Sequence, residues 1–141
     1  MSREERERFL AGVHLGLLSV AEPWERVPVV APAWFGYEPG GLLRFSTERD
    51  ERALEAVRRA GRATLTVQEE LAPHRCVSVE GPAVVYEPVD PDEFARWVVR
   101  CLGEEPGERY LRRVEDDLEY LTTVSVRPEC WRSRDLSAAA R

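Results

Sequence analysis

Two prolines constrain this chain more than any other feature. In Arg26-Val27-Pro28-Val29-Val30-Ala31-Pro32-Ala33-Trp34-Phe35 the residues alternate as they do in a strand. Val27, Val29, Ala31, Ala33 and Phe35 share one face; Pro28, Val30, Pro32 and Trp34 share the other. Proline has no backbone donor, so the segment cannot be hydrogen-bonded like a central strand along its whole length. It is expected to be an edge, a bulged strand, or a strand whose outer face meets something other than another strand. A flat apolar wall carrying a tryptophan can also receive a flat ring, although an ordinary barrel edge has the same pattern.

The 141 residues suffice for one domain with a sizeable core. Apolar residues make up 43% and charged residues 33%, the profile of a soluble globular protein. No apolar run reaches membrane-spanning length, and the charged N-terminus leads into no signal-peptide core, so no membrane partner and a cytoplasmic location are expected. The net charge of −6 argues against nucleic acid, since no basic excess would displace counterions. Every basic side chain is an arginine, which excludes lysine Schiff-base chemistry. Cys76, Cys101 and Cys130 are odd in number and widely spaced, so neither a disulfide framework nor a metal site is expected.

The coarse reading begins with a short helix from Ser2, capped by the Ser2/Glu5 pair and stopped by Gly12. An apolar strand follows over Val13 to Val20, then a turn with Pro23 and Trp24, so that the proline strand forms a hairpin with it. A turn at 36–41 leads to a strand at Leu42–Ser46. Thr47 or Asp50 caps a helix that runs to Ala60, with Leu54 and Val57 buried and Gly61 as its stop. Arg62–Gln68 alternates cleanly. Arg75–Tyr86 is the longest strand, bent at Gly81-Pro82. Asp90-Pro91-Asp92-Glu93 starts a helix with Phe94, Trp97, Val98 and Cys101 as its stripe. Gly103 to Gly107 breaks the chain before a second amphipathic helix with Tyr110, Leu111, Val114, Leu118 and Leu121 on one side. Thr122–Trp131 is a last strand interrupted at Pro128, and Ser133–Arg141 a frayed tail. About six strands arranged as hairpins and meanders disfavour a doubly wound sheet. They point to a mainly β fold, a small antiparallel barrel with flanking helices. The expected organisation is one domain over 1–141 with helices near 90–102 and 107–121.

Motifs for nucleophilic, nucleotide-phosphate or dinucleotide chemistry are missing from the chain. His14 lies in an apolar strand and reads as a core or interface residue; His74 reads as a loop residue, and with Cys76 it offers a possible haem ligand. Glu69-Glu70 and Glu115-Asp116-Asp117 read as solvated faces. The most suggestive group is Arg44-Phe45-Ser46-Thr47-Glu48-Arg49-Asp50-Glu51-Arg52. A helix start, the hydroxyls of Ser46 and Thr47, and the guanidiniums of Arg49 and Arg52 can together hold a phosphate. Glu48, Asp50 and Glu51 oppose an anion there, though they also suit a helix start.

The order of these motifs resembles that of the pyridoxamine 5′-phosphate oxidase-like superfamily, the split β-barrel, FMN-binding-like proteins. The resemblance rests on the N-terminal helix, Leu17-Leu18-Ser19-Val20, Val27–Phe35, Leu43-Arg44-Phe45-Ser46-Thr47, Gly61–Val67 and Val77-Ser78-Val79-Glu80-Gly81, and covers roughly residues 6 to 86. It implies a homodimer with FMN or the deazaflavin coenzyme F420 at its interface, with haem as a lesser alternative, and hydride transfer to or from a small-molecule substrate. By the same resemblance Pro32, Ala33 and Trp34 line the ring, and Ser46, Thr47 and Arg49 approach the phosphate. Gln68 sits at the ring's polar edge and Arg75 reaches across the interface. No catalytic acid or base is evident. Where relatives carry a serine and then a lysine at the following helix start, this chain has Glu51 and Ala53, with Arg52 as a substitute cation. The alternative is therefore a non-catalytic split-barrel protein with a degenerate phosphate site, holding haem, another flat ligand or a partner.

Overall fold

The structure, a computed structural model, describes residues 1–12, 15–22, 27–49, 51–86 and 88–140, without the side chains of Ala138 and Ala140. The sequence expectations on Val13, His14, Pro23, Trp24, Arg26 and Asp50 lie outside the described residues.

Helix α1 (Arg3–Leu10) opens on the expected capping box: the Ser2 hydroxyl accepts from the Glu5 N–H, and the Glu5 carboxylate accepts from the Ser2 N–H. Strand β1 (Gly16–Val20) pairs with β2 (Val29–Ala33) in register Gly16↔Ala33 to Val20↔Val29, the predicted hairpin. The proline strand is not continuous. It breaks at Trp34 and resumes as β3 (Phe35–Tyr37), which pairs with β4 (Leu43–Glu48). One segment thus forms both edges of a curled sheet of order β2-β1-β5-β6-β7-β4-β3. Each half has a single ladder partner. In β2 this suits Pro32, which faces Leu17 of β1 and has no donor for a second ladder; Pro28 precedes the strand.

Strands β5 (Arg62–Gln68) and β6 (Arg75–Tyr86) have the predicted bounds. In β6 the partners change at Gly81-Pro82. Residues before the bend pair with β5 and with β8 (Cys130–Asp135), and Ala83–Tyr86 pair with β7 (Leu121–Val126). A β-carbon on Gly81 would fall 1.8 Å from the carbonyl oxygen of Arg127, so only glycine lets the two backbones approach here. The chain after Thr122 is therefore two strands rather than one interrupted strand. Residues 133–135, expected to fray, belong to β8, and the sheet has eight strands rather than six.

Buried residues alternate along β1 to β5 and, with Val77 and Val79 of β6 and Val124 and Val126 of β7, form one core with Phe9 and Leu10 of α1. Helix α2 (Arg52–Ala60) adds Ala53, Leu54, Ala56 and Val57 to it and ends at Gly61 in the left-handed conformation. Thr47 does not cap α2. Thr47 belongs to β4, where its hydroxyl meets that of Thr122 inside the barrel; Glu51 takes the cap position without a side-chain bond. Helices α3 (Pro91–Leu102) and α4 (Glu104–Val114) build a second core outside the barrel from Val89, Phe94, Trp97 and Val98, against which Trp34, Tyr110 and Leu111 pack. The break between them is Gly103 alone. Pro106 fits the first turn of α4, where no intrahelical donor is needed, and Gly107 lies against Val99. A 3-10 segment, Glu115–Tyr120, ends this helical arm, and Leu121 opens β7 instead of extending the helix. Among the described residues no helix is long and apolar enough to cross a membrane.

Candidate functional site

The outer face of the barrel is built by register. Directly opposed residues on antiparallel strands project to the same side. One row across the sheet therefore reads Pro32, Leu17, Thr66, Ser78 and Arg132, and the next reads Gln68, Cys76 and Arg134. Leu17 is 46% and Val30 50% exposed. The hydroxyls of Thr66 and Ser78 are 2.7 Å apart. A groove of about 700 Å³ runs over this face, with Leu15, Leu17, Pro32, Thr66 and Gln68 as its floor and Glu69–Pro73 as its wall.

Of the residues expected around a ring, this groove brings together Pro32 and Gln68. Ala33 faces the opposite way, into the barrel core. Trp34 sits where the segment changes partners. Its indole turns toward the helical arm, with ring centroids 6.4 Å from Phe94 and 5.0 Å from Tyr110. Arg75 is held within its own chain: Nε donates to Glu69 at 2.9 Å with a second bond beside it, and the guanidinium lies 5.1 Å over the ring of Phe9. His74 is exposed at the end of the groove wall with φ of 58°, and one ring nitrogen lies 3.4 Å from the Glu69 carbonyl. Cys76 is partly exposed beside Gln68 on the same face.

The expected phosphate group is dispersed. Ser46 projects to the outer side of β4, opposite Thr123, while Thr47 projects inward. Arg49 donates to the carbonyl of Glu119 at 2.8 Å. Arg52 lies 3.9 Å from the carboxylate of Glu22, which is also 3.6 Å from Arg59 and only 8% exposed. A smaller cleft of about 310 Å³ separates the start of α2 from Val27–Ala31 and is lined by Glu51, Arg52 and Ala53. Burial, and then the neighbouring charge of Glu48, pushes the Glu51 carboxyl above its ordinary pKa. Ala53 is 1% exposed. A lysine at this position would enter packed core, so α2 is built differently here from helices that carry a cation there.

Arg132 and Arg134 are further candidates that sequence motifs do not single out. Strand β8 places both, exposed, on the same outer face as Gln68 and Thr66. Their signal in the sequence is the alternation Trp131-Arg132-Ser133-Arg134, which runs across the boundary between the last expected strand and the expected tail.

No family model matches the chain, and no curated protein matches it. Solved structures do. An F420 reductase superposes with a TM-score of 0.72 at 20% identity, over 89% of this chain and 94% of that one. A FAD-binding protein from Mesorhizobium loti superposes at 0.63 and 19% identity, over 94% and 91%. A putative pyridoxamine 5′-phosphate oxidase from Listeria innocua superposes at 0.62 and 12% identity, over 93% and 96%. At these identities the likeness concerns architecture alone: the chain has a split β-barrel fold, as these structures do.

Proposed function

We propose that the chain is a dimeric flavin- or deazaflavin-dependent oxidoreductase that holds its cofactor ring in the groove over Leu17, Pro32 and Gln68. The observation that carries this reading is an open, apolar-floored groove on the outer face of a split barrel. Its volume of about 700 Å³ suits a cofactor, and a polar edge stands on one side. Leu15, Leu17, Val30 and Leu71 are 60%, 46%, 50% and 82% exposed around it, an apolar surface that a second copy would cover. The residues present fit a ring more directly than they fit its phosphate. Arg132 and Arg134 offer guanidiniums on the same face, and Arg134 stands two strands from Gln68, about 10 Å at ordinary strand spacing.

A flavin or deazaflavin bound there supplies the hydride chemistry. The chain supplies placement. Leu17 and Pro32 exclude water from one side, and the Gln68 amide offers a donor and an acceptor at the groove's edge. The Thr66–Ser78 hydroxyl pair fixes the polar strip between apolar floor and arginines. The test is the visible spectrum of the purified protein with FMN and with F420, before and after desalting. A perturbed band retained on the protein supports the reading; two unchanged spectra at saturating cofactor end it.

A second reading has its own support. Thr47 is bonded inside the barrel, Arg49 is bonded to Glu119, and Glu51 opposes an anion. This combination suits a split-barrel protein that binds a flat ligand such as haem, or a partner, without turnover. A Soret band on adding haem, with no flavin band, would favour it.

A further inference from the structure

A second cleft, of about 540 Å³, lies between the β3–β4 hairpin and α3, on a different side of the barrel from the groove. Its floor exists because Gly36 has no side chain: a β-carbon there would fall 2.2 Å from Nε1 of Trp97. The Trp97 indole edge therefore lies against the strand backbone, and Leu42, 44% exposed, forms an apolar lip. Three arginines line the walls, and their engagements differ. Arg44 is neutralised by Glu93 at 3.0 Å and bonded to Ser125 at 3.2 Å. Arg100 donates one Nη to the Gly12 carbonyl at 2.8 Å and sits 5.9 Å over the Phe35 ring; its Nε has no acceptor. Arg96, one turn earlier on α3, is exposed. Among the described residues no carboxylate lies within ion-pair distance of Arg96 or Arg100. With Glu93 already paired, Glu38 on the hairpin turn is the remaining acid of the cleft. The result is a local positive excess on a chain of net charge −6.

We propose that this cleft binds a small organic anion, its carboxylate held by Arg96 and Arg100 and its apolar body resting on Leu42 and the edge of Trp97. Two guanidiniums one helical turn apart form a fork suited to a carboxylate. Neither is ion-paired among the described residues, and with Glu93 held by Arg44 only Glu38 of the cleft's lining is left to compete with a bound carboxylate. Arg100 is pre-positioned by Gly12 and Phe35, so little side-chain entropy is lost on binding.

The reporter is the Trp97 indole N–H resonance, assigned by its loss in Trp97→Phe and followed while benzoate is titrated through the millimolar range. Benzamide, its neutral counterpart, is the control. A saturable shift with benzoate, about tenfold weaker with benzamide and about tenfold weaker in Arg96→Gln, is the expected result. Arg96 is exposed and bonds to no described residue, so this substitution leaves the fold intact. No saturable shift, an equal response to benzamide, or an unchanged affinity in both Arg96→Gln and Arg96→Glu would overturn the proposal. The cofactor titrations read the other face, so either result leaves the oxidoreductase reading to its own test.

Discussion

The indole of Trp97 occupies the space that a side chain on Gly36 would need, with Nε1 2.2 Å from the position of the missing β-carbon. Trp97 is 6% exposed and packed among Val89, Phe94 and Val98, so it cannot swing away freely. Gly36→Ala should therefore lift α3 from the barrel, at the cost of about 1–3 kcal/mol typical of overpacking. Urea unfolding measures it. A loss below about 0.5 kcal/mol would mean that α3 is not seated as described.

Gly81 and Gly40 separate two reasons for a glycine. At Gly81 a β-carbon would meet backbone, the Arg127 carbonyl oxygen at 1.8 Å, which no rotamer change relieves. At Gly40 the space is open and the constraint is φ of 82°. Gly81→Ala should reach or exceed the top of the overpacking range, about 3 kcal/mol, and displace β7 from β6. Gly40→Ala should cost about 1–2 kcal/mol. The reverse order in denaturation midpoints would contradict the bend at Gly81.

Much of the barrel was legible because alternation and punctuation agree locally. Arg62–Gln68 and Arg75–Tyr86 announce themselves by period, and Gly61 by its stop position. What escaped depends on contacts distant in sequence. Trp34 belongs to the strand pattern, yet its environment is set by Phe94 and Tyr110, some sixty to seventy-six positions away. Thr47 looks like a cap until Thr122 is placed beside it. Arg132 joins the outer face only through its pairing with Ser78. Hydroxyls and arginines around α2 looked convergent in sequence, but a strand separates neighbours to opposite faces, so Ser46 and Thr47 point apart.

The exposed apolar row predicts the oligomeric state. Leu17→Glu puts a charge at the centre of the outer face, on a side chain that is 46% exposed and so contributes little to the monomer's core. The variant should remain folded by circular dichroism and run as a monomer in light scattering, while the parent runs as a dimer. A parent that is monomeric at high concentration would remove the interface from the proposal.

Trp34→Ala tests which of two roles the tryptophan holds. Its ring packs on the helical arm, so the variant should lose about 2–3 kcal/mol, below the 3–5 kcal/mol of a fully buried aromatic. The flavin or deazaflavin affinity should change by less than about threefold, or about 0.7 kcal/mol. A large loss of affinity with stability intact would place Trp34 against the ring instead.

Glu51 carries a prediction with a defined sign. Burial, then Glu48, raises its carboxyl pKa in the folded state above the ordinary 4.5. The folded protein therefore holds this proton more tightly than the unfolded chain, and the ionised group opposes folding once the pH exceeds the raised value. Glu51→Gln should stabilise the protein at pH 7. The gain should shrink as the pH falls through the raised folded value and vanish below 4.5, where parent and unfolded chain are both protonated. Since the side chain is partly solvated, the gain is expected to be small, a modest rise in melting temperature rather than a large one. The same substitution removes an anion from the cleft lined by Arg52 and Val27–Ala31. If a phosphate-bearing cofactor uses that cleft, Glu51→Gln tightens FMN binding at pH 7. If the anionic tail instead lies toward Arg132 and Arg134, FMN affinity stays unchanged in Glu51→Gln and falls about tenfold in Arg134→Gln. Melting curves at pH 7 and pH 4, with FMN titrations of both variants, read the two effects separately.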